Sequence, residues 1–255
     1  MIRKTSKQLF DRFTRLGRSQ CILCLGHAQG NCALCQDCDT DLPRIHNGCT
    51  RCTLPFANLT EGLSQGLICG RCQERPPSYD RCIAPLRYDW PVDQLIPGLK
   101  FSQNFSNVNV LATLIVQQLS LSRADSHSLP DVLVPIPLHW RRHQQRGFNQ
   151  SSLLAISISK QLAARTGLRA PKVDQRLIKR VVNTESQVGQ SKKARRQNMR
   201  HAFRVRAGTM PASVALIDDV VTTGATVNEA SRVLRKAGVQ TIEVWCAART
   251  PVDKW

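Results

Sequence analysis

One short stretch, residues 214–226, constrains the fold of this 255-residue chain more than any other. It begins with the apolar run Val-Ala-Leu-Ile at 214–217, continues with two aspartates and two valines, and ends in Thr-Thr-Gly-Ala-Thr. Apolar residues at helical spacing follow, and Gly238 ends that pattern. An apolar run without alternation is typical of a strand that is buried on both faces of a parallel sheet. The stretch therefore predicts a strand, a loop and a helix, which together form the repeating unit of an α/β fold.

The polar residues of this stretch fall at the carboxyl end of the predicted strand, where open α/β sheets bind ligands. Asp218 and Asp219 repel each other, and burying both is costly unless hydroxyl donors of a ribose or a hydrated Mg2+ offset their charge. The loop then presents backbone N–H groups and hydroxyls at a helix N-terminus, which suits a phosphate. Its residues are Thr222, Thr223, Gly224, Ala225 and Thr226. These features predict a phosphosugar site, and an ordinary helix cap by a threonine is the alternative.

The charge of the chain also predicts an anionic partner. Lys and Arg number 36 against 18 Asp and Glu, so the formal net charge is +18. Residues 139–206 hold 17 of the basic and 2 of the acidic residues, a net of 17 − 2 = +15. Like charges at this density repel one another, so they favour a bound anion such as a phosphosugar or a nucleic acid. A solvated basic surface is the alternative.

A second buried strand, predicted at 131–137, ends in a basic loop that is followed by a helix reaching Gly167. The planar fork of arginine suits phosphate, glycine permits a close backbone approach, and asparagine is a frequent helix cap. The candidate pyrophosphate or anion ligands here are Arg141, Arg142, Arg146, Gly147 and Asn149. A disordered basic loop with one helix cap is the alternative.

The basic segment 176–206 adds Lys192 and Arg195 to the candidate anion ligands. Its polar centre predicts a mobile loop followed by a helix from Ser191 to His201. A basic flap of this kind can close over an anionic ligand, or it can contact nucleic acid phosphates.

Four Cys-x2-Cys knuckles lie near the N-terminus, and they predict structural zinc. Two knuckles complete a closed four-sulfur shell, which leaves no open position for catalysis. Pairing neighbours gives one group of Cys21, Cys24, Cys35 and Cys38, and a second group of Cys49, Cys52, Cys69 and Cys72. A cross-braced pairing, first knuckle with third and second with fourth, is the alternative, and Cys32 forms a further Cys-x2-Cys with Cys35.

The remaining patterns give the predicted organisation of the chain. We expect a basic N-terminal helix or tail at 1–20, a zinc-binding module at 21–75 and an α/β domain at 80–255. Helices are predicted at 107–121 and at 93–100, the second broken near Pro97. No apolar run is long enough to span a membrane and no signal peptide is recognisable, so a cytoplasmic location is expected.

The stretch 214–226 resembles the phosphoribosyl pyrophosphate (PRPP) signature of type I phosphoribosyltransferases. That signature is an apolar run, Asp-Asp, two apolar residues and Thr-Thr-Gly-x-Thr. By this resemblance, Asp218 and Asp219 hold the ribose hydroxyls, 222–226 hold the 5′-phosphate, and Mg2+ chelates the pyrophosphate. The resemblance implies a parallel sheet flanked by helices, preceded here by the small Cys-rich zinc-binding module.

The wider pattern resembles the ComF family, also called GntX-like, over nearly the whole chain. Beside the knuckles, it shows Val134-Pro135-Ile136-Pro137, Arg146-Gly147-Phe148-Asn149-Gln150, Thr184 with Gln187, and Asn198 before Ala202-Phe203. That family is associated with natural competence, so the resemblance implies a PRPP-binding protein that handles incoming single-stranded DNA together with DNA-uptake proteins. An active phosphoribosyltransferase on an unidentified base or amine, and a non-enzymatic nucleic-acid adaptor, are the alternatives.

Overall fold

The computed structural model describes residues 20–28, 32–56, 66–101, 105–122, 129–138, 144, 147–167, 170–181 and 201–251. The N-terminal helix or tail predicted for 1–20 lies outside this part of the chain except for Gln20. Contacts divide the chain into two compact units, Met1–Leu42 and Pro43–Trp255. The domain limits proposed from the sequence stay a prediction.

The described elements alternate as an α/β fold requires. The strands are β1 (Arg81–Ile83), β2 (Leu86–Arg87), β3 (Val132–Pro135), β4 (Lys172–Val173), β5 (Ile178–Arg180), β6 (Phe203–Val205), β7 (Ser213–Val221) and β8 (Thr241–Arg249). The helices are α1 (Gln36–Thr40), α2 (Gly70–Glu74), α3 (Val92–Phe101), α4 (Phe105–Ser122), α5 (Gln150–Thr166) and α6 (Ala225–Lys236).

A parallel sheet forms the centre of the larger unit. Its order is β1-β8-β7-β3-β4, and β2 pairs with β8 beyond the end of β1. The predicted α/β class with a parallel sheet and flanking helices is confirmed. β7 lies in the middle, between β3 and β8, because its residues Val214–Ile217 are apolar on both faces and 0% exposed.

β7 is longer than the sequence predicts. The apolar run suggests a strand that ends at Ile217, yet the strand continues through Asp218 and Asp219 to Val221. Pairing with β8 extends this far, since Asp218 lies opposite Cys246 and Val221 opposite Arg249. The aspartates therefore belong to the strand instead of following it, because the ladder of backbone hydrogen bonds tolerates polar side chains at its end.

Helices cover both faces of the sheet. The crossover from β3 through α5 to β4 runs in the opposite direction to the crossover from β7 through α6 to β8. Because such crossovers are right-handed, α5 and α6 lie on opposite faces. α4 packs against α5, and α6 shares a buried core with alternate residues of β7.

Two helices agree with their sequence signals, and a third does not. α5 begins after Asn149, whose side chain accepts a hydrogen bond from the Ser151 amide, and it ends at Gly167 in the left-handed conformation. α4 covers the predicted 107–121. The break predicted near Pro97 is wrong, because α3 continues through it. Its residues Leu95 and Ile96 are buried, and their packing outweighs one lost backbone hydrogen bond.

The two ends of the basic segment 176–206 form an antiparallel pair that the sequence does not predict. β5 pairs with β6, and the amide of Val181 donates to the carbonyl of Ala202 at 2.8 Å. The mobile loop and the helix predicted between them fall on 182–200, which lie outside the described residues. Across the part of the chain that the structure describes, no helix combines the length and apolar character needed to cross a membrane.

Candidate functional site

The two aspartates of β7 meet the first turn of α5. Asp218 is half-buried, and its Oδ1 accepts hydrogen bonds from the Ser151 hydroxyl at 3.3 Å and from the Asp219 amide at 3.0 Å. Asp219 is 7% exposed, and its Oδ2 accepts a hydrogen bond from Gln150 Nε2 at 3.4 Å. The pairing of β3 with β7 places both strands' carboxyl ends at one edge, since Pro135 lies opposite Ile217.

The position of Asp218 affects the ionisation of its carboxyl group. Burial, and then the neighbouring charge of Asp219, raise the pKa of Asp218 well above its usual range. Hydrogen bonds from the Asp219 amide and the Ser151 hydroxyl oppose this effect. A ligand that offers hydroxyl donors or a cation here would relieve the repulsion, so the pair is suited to a polyol or a hydrated metal ion.

The loop after β7 turns sharply into α6. Gly224 caps this helix in the left-handed conformation, with φ of 77°. The Thr223 hydroxyl accepts a hydrogen bond from the Ala225 amide at 3.4 Å. Thr222 is exposed, while Thr223 and Thr226 are half-buried. This loop offers N–H groups at a helix N-terminus to an anion. The phosphate and ribose roles assigned to residues 218–226 stay predictions.

The candidate anion ligands near α5 and in the basic segment are only partly described. Gly147 is exposed with φ of 74°, which suits the close backbone approach argued from the sequence. Asn149 is already engaged, because its Nδ2 donates to the Ile136 carbonyl at 3.0 Å and its Oδ1 caps α5. The other candidates lie outside the described residues: Arg141, Arg142, Arg146, Lys192 and Arg195.

A cavity of about 530 Å3 opens beside the glycine loop. One wall is formed by α2 and by Cys52 of the knuckle that precedes it in the chain. The other wall is formed by the glycine loop and α6. Its described arginines are Arg71, Arg75, Arg232 and Arg249. Neither aspartate of β7 is among the lining residues that the structure describes. The cavity is therefore a basic compartment that shares the loop with the acid pair but is separate from it.

A buried carboxylate anchors the end of the basic segment to α6. Glu229 is 6% exposed and accepts two hydrogen bonds from Arg232, at 2.6 and 2.8 Å, and one from the His201 amide at 2.8 Å. Burial alone would raise the pKa of Glu229, but these bonds outweigh it and lower the pKa. Residue 201 is thereby fixed at the cavity wall.

The cysteine knuckles come together as neighbours, as the first of the two predicted pairings requires. Within each group the four sulfurs lie within 4.8 Å of one another. The groups are Cys21, Cys24, Cys35 and Cys38, and Cys49, Cys52, Cys69 and Cys72. Zinc with sulfur at about 2.3 Å gives a tetrahedron with edges of about 3.8 Å. The Sγ–Sγ distances of 3.7 Å between Cys24 and Cys35, and between Cys52 and Cys69, fit this geometry.

In each cysteine group, one thiol has a lowered pKa. The Cys52 thiol donates to Cys49 and, against the effect of burial, lowers the pKa of Cys49 to about 4. Burial opposes ionisation of Cys21, yet backbone N–H groups at Cys24 and Cys35 help to lower its pKa to about 6. All eleven cysteines are free of disulfides. Each group could therefore bind a structural zinc ion.

Three functional candidates were missed by sequence reasoning. Gln150 and Ser151 contact the acid pair, and they could have been suspected because they directly follow the cap of a helix at the carboxyl edge of the sheet. Arg249, at the end of apolar β8, is 2% exposed and donates to the carbonyls of Val221 and Thr222. No local signal marks its role, because its partners are distant in the sequence.

These features define a class of protein: an α/β chain whose parallel sheet carries an acid pair and a glycine loop, with two four-cysteine groups. No family model matches the chain. It is 34% identical over 232 residues to DNA utilization protein YhgH of Salmonella typhimurium, covering 90% of this chain and 96% of that protein. Over 185 residues it is 38% identical to Competence protein F of Haemophilus influenzae, covering 71% of this chain and 78% of that protein.

A more distant relative is Competence protein ComFC of Streptococcus pneumoniae, which is 26% identical over 220 residues, 85% of this chain and 87% of that protein. The agreement with the two nearer relatives extends over most of each sequence. The chain belongs to the ComF family.

Proposed function

We propose that this chain binds PRPP, or a related phosphosugar, and acts in DNA uptake and natural competence by handling incoming single-stranded DNA. Relatives named for DNA utilization and for competence support the cellular role. The observation that carries the ligand is the placement of Asp218 and Asp219 one short loop before Gly224 at the start of α6.

In this proposal the ribose hydroxyls donate to the two aspartates and the 5′-phosphate accepts hydrogen bonds from the loop 222–226. Gln150 and Ser151 orient the carboxylates by donating to them. Mg2+ would enter with the pyrophosphate and offset its charge. The basic residues at 141–146, with Lys192 and Arg195, would bind the pyrophosphate, and the surrounding charge would attract DNA and DNA-uptake partners.

The ligand assignment can be tested by calorimetry with PRPP and Mg2+. Replacing both Asp218 and Asp219 with Asn should weaken binding by at least about tenfold, because the acceptors of two hydroxyl groups lose their charge. The matched control replaces Asp89 and Asp174, which pair with arginines elsewhere on the surface, with Asn. Equal affinity in the acid-pair variant and the control would refute the assignment.

The DNA role has a separate test. Binding of a labelled single-stranded oligonucleotide should be measurable by fluorescence anisotropy and should weaken steeply as salt rises, because Lys and Arg release counterions from the phosphates. Replacing Arg141 and Arg142 with Gln should reduce the salt dependence, whereas replacing Arg87 and Arg235, which lie outside the basic segment and pair with Asp89 and Asp80, should not. Absence of binding at low salt would overturn the DNA role and leave the PRPP assignment intact.

Phosphoribosyl transfer to an unidentified base or amine is a second candidate, because the acid pair and the loop that would bind PRPP follow one another at the end of β7. Arginines around the site would then stabilise the departing pyrophosphate. Release of pyrophosphate from PRPP in the presence of bases or amines would support transfer. Binding without release with any acceptor favours the non-enzymatic, nucleic-acid-binding alternative.

A further inference from the structure

Arg249 joins the second cysteine group to the glycine loop. Its guanidinium is buried at the end of β8. Nε donates to the carbonyl of Cys52 at 3.1 Å, while Nη1 donates to the carbonyls of Val221, at 2.8 Å, and Thr222. Cys52 belongs to a four-sulfur group, and Thr222 begins the loop that leads to Gly224. One side chain therefore contacts both structures.

The direction of these hydrogen bonds affects the loop amides. In a planar trans peptide the C=O and the N–H of the same peptide unit point in opposite directions. Because the carbonyls of Val221 and Thr222 point toward Arg249, the amide N–H groups of Thr222 and Thr223 point away from it. Arg249 thus helps to fix the orientation of two N–H donors at the start of the candidate phosphate loop, and at Val221 it acts together with the Thr250 amide, which donates to the same carbonyl at 3.1 Å.

The position of Arg249 depends in turn on the knuckle. A zinc ion with four thiolates carries net negative charge, which favours a buried guanidinium nearby, and metal binding fixes the backbone between Cys49 and Cys52. Without metal, four crowded sulfurs no longer share a common ligand, so the Cys52 carbonyl is free to shift. The guanidinium would then lose one of its acceptors, and the two loop carbonyls would lose a fixed donor.

We infer that Arg249 is a positioning residue that couples metal binding by the second cysteine group to the conformation of the loop 222–226. The consequence for anion affinity rests on the proposed function, whereas the coupling itself does not. The residue acts on the ligand only through the backbone of Val221 and Thr222, so its effect is on the geometry of the loop donors.

The test begins with a parent chain in which Cys24 and Cys38 are replaced with Ala, so that only the second group binds metal. Hydrogen exchange of the loop amides is measured with zinc bound and after chelation. Affinity for inorganic phosphate, which probes the loop, and for PRPP is measured in parallel. Removing the metal should raise loop exchange and weaken anion binding, each by several-fold, because the loop carbonyls lose a fixed donor.

Arg249→Lys keeps the charge but loses the planar fork that reaches both sets of carbonyls. The zinc content of this variant is first shown to equal that of the parent. The variant should then show the fast loop exchange and the weak anion affinity of the metal-free parent. Arg87→Lys is the matched control, because Arg87 ends the neighbouring strand β2 and is exposed beside Asp89. That control should behave as the parent does.

Cobalt gives a readout that a purely structural role would not change. In the cobalt-loaded parent, adding inorganic phosphate should shift the sulfur-to-metal charge-transfer band, whereas in Arg249→Lys it should not. A zinc-loaded Arg249→Lys chain with parental loop exchange would overturn the inference, even if the metal-free parent unfolds. If the parent binds neither PRPP nor inorganic phosphate, the proposed function fails while the exchange experiment still decides the coupling.

Discussion

The two cysteine groups share one sequence pattern but occupy different surroundings. The first belongs to the smaller unit, and its Cys24 is exposed while Cys35 and Cys38 are half-buried. The second belongs to the larger unit, and all four of its cysteines are buried, with exposures of 2–8%. Its sulfurs pack in the same apolar cluster as Val221 and Val227 at either end of the glycine loop.

This difference shows that a metal motif predicts ligand chemistry but not the role of the metal. A closed four-sulfur shell stabilises whichever segment supplies the ligands. In the first group that segment is a short stretch of few buried side chains, of which Leu34 and Leu42 are examples. In the second group the ligands are part of the core that supports α6 and β7. Loss of metal there should therefore change the conformation of the candidate site.

The largest expected effect follows from changing one ligand in each group. Cys52→Ser should lower the unfolding free energy of the larger unit by about 4 kcal/mol or more, because it removes a buried metal ligand from the core. The melting temperature should fall by about 8–16 °C, as measured by circular dichroism. Cys38→Ser, the same chemical change in the first group, should alter it by less than about 2 °C. A similar fall in melting temperature in both variants would contradict the proposed difference between the two cysteine groups.

Acid should release metal from the two groups in a fixed order. A thiolate holds zinc only while protons do not compete for it, and Cys24 of the first group is exposed to water whereas all four cysteines of the second group are buried. As pH falls, the first group should therefore lose metal at higher pH than the second. A chromophoric zinc indicator, applied to variants that retain one group each, measures this order. Release from the second group first would contradict it.

A change at the acid pair should alter the stability of the larger unit only. The pKa of Asp218 is raised above its unfolded value of about 3.9, so the native state binds more protons between the two values. Stability therefore falls as pH rises across that window and stays reduced above it. Asp218→Asn removes this loss and should melt higher at neutral pH, by about 2–4 °C for each kcal/mol regained.

This effect is measured by recording melting temperature against pH for the wild type, Asp218→Asn and the control Asp89→Asn. The gap between Asp218→Asn and the wild type should widen as pH rises from mildly acidic to neutral. Parallel curves would show that the carboxyl of Asp218 is not destabilising when ionised. Loss of PRPP affinity together with a gain in stability would be typical of a ligand-binding carboxylate.

The smallest effect is expected at the glycine loop. Gly224→Ala adds a Cβ that would lie 3.8 Å from Val221 Cγ1 and 3.9 Å from the Tyr79 hydroxyl, which are ordinary contacts. The cost is then the positive φ alone, about 1–2 kcal/mol. Gly238→Ala, also at positive φ but at the far end of α6, should cost a similar amount. Only Gly224→Ala should weaken binding of PRPP through its 5′-phosphate, and equal PRPP affinity in both variants would remove the loop from the site.

Much of the fold could be predicted because its signals are local. The cap at Asn149 and the glycine at 167 define α5, and the stretch 214–226 predicts the position of β7 and the start of α6, although β7 continues past its predicted end to Val221. The hairpin of β5 and β6 was missed because its buried residues Ile178 and Phe203 are separated by a highly basic segment. Its pairing is non-local, so no periodicity in either short strand reveals it.

The sequence by itself determined the chemistry of this protein: two acidic residues before a glycine loop, and cysteine knuckles of zinc-binding spacing. Tertiary structure decided which of these act together. It placed Gln150 and Ser151 against the acid pair, 69 and 67 residues away in the chain, and Arg249 against Cys52, 197 residues away. Such contacts arise because burial brings distant polar groups together, and each must then find a hydrogen-bond partner in the core.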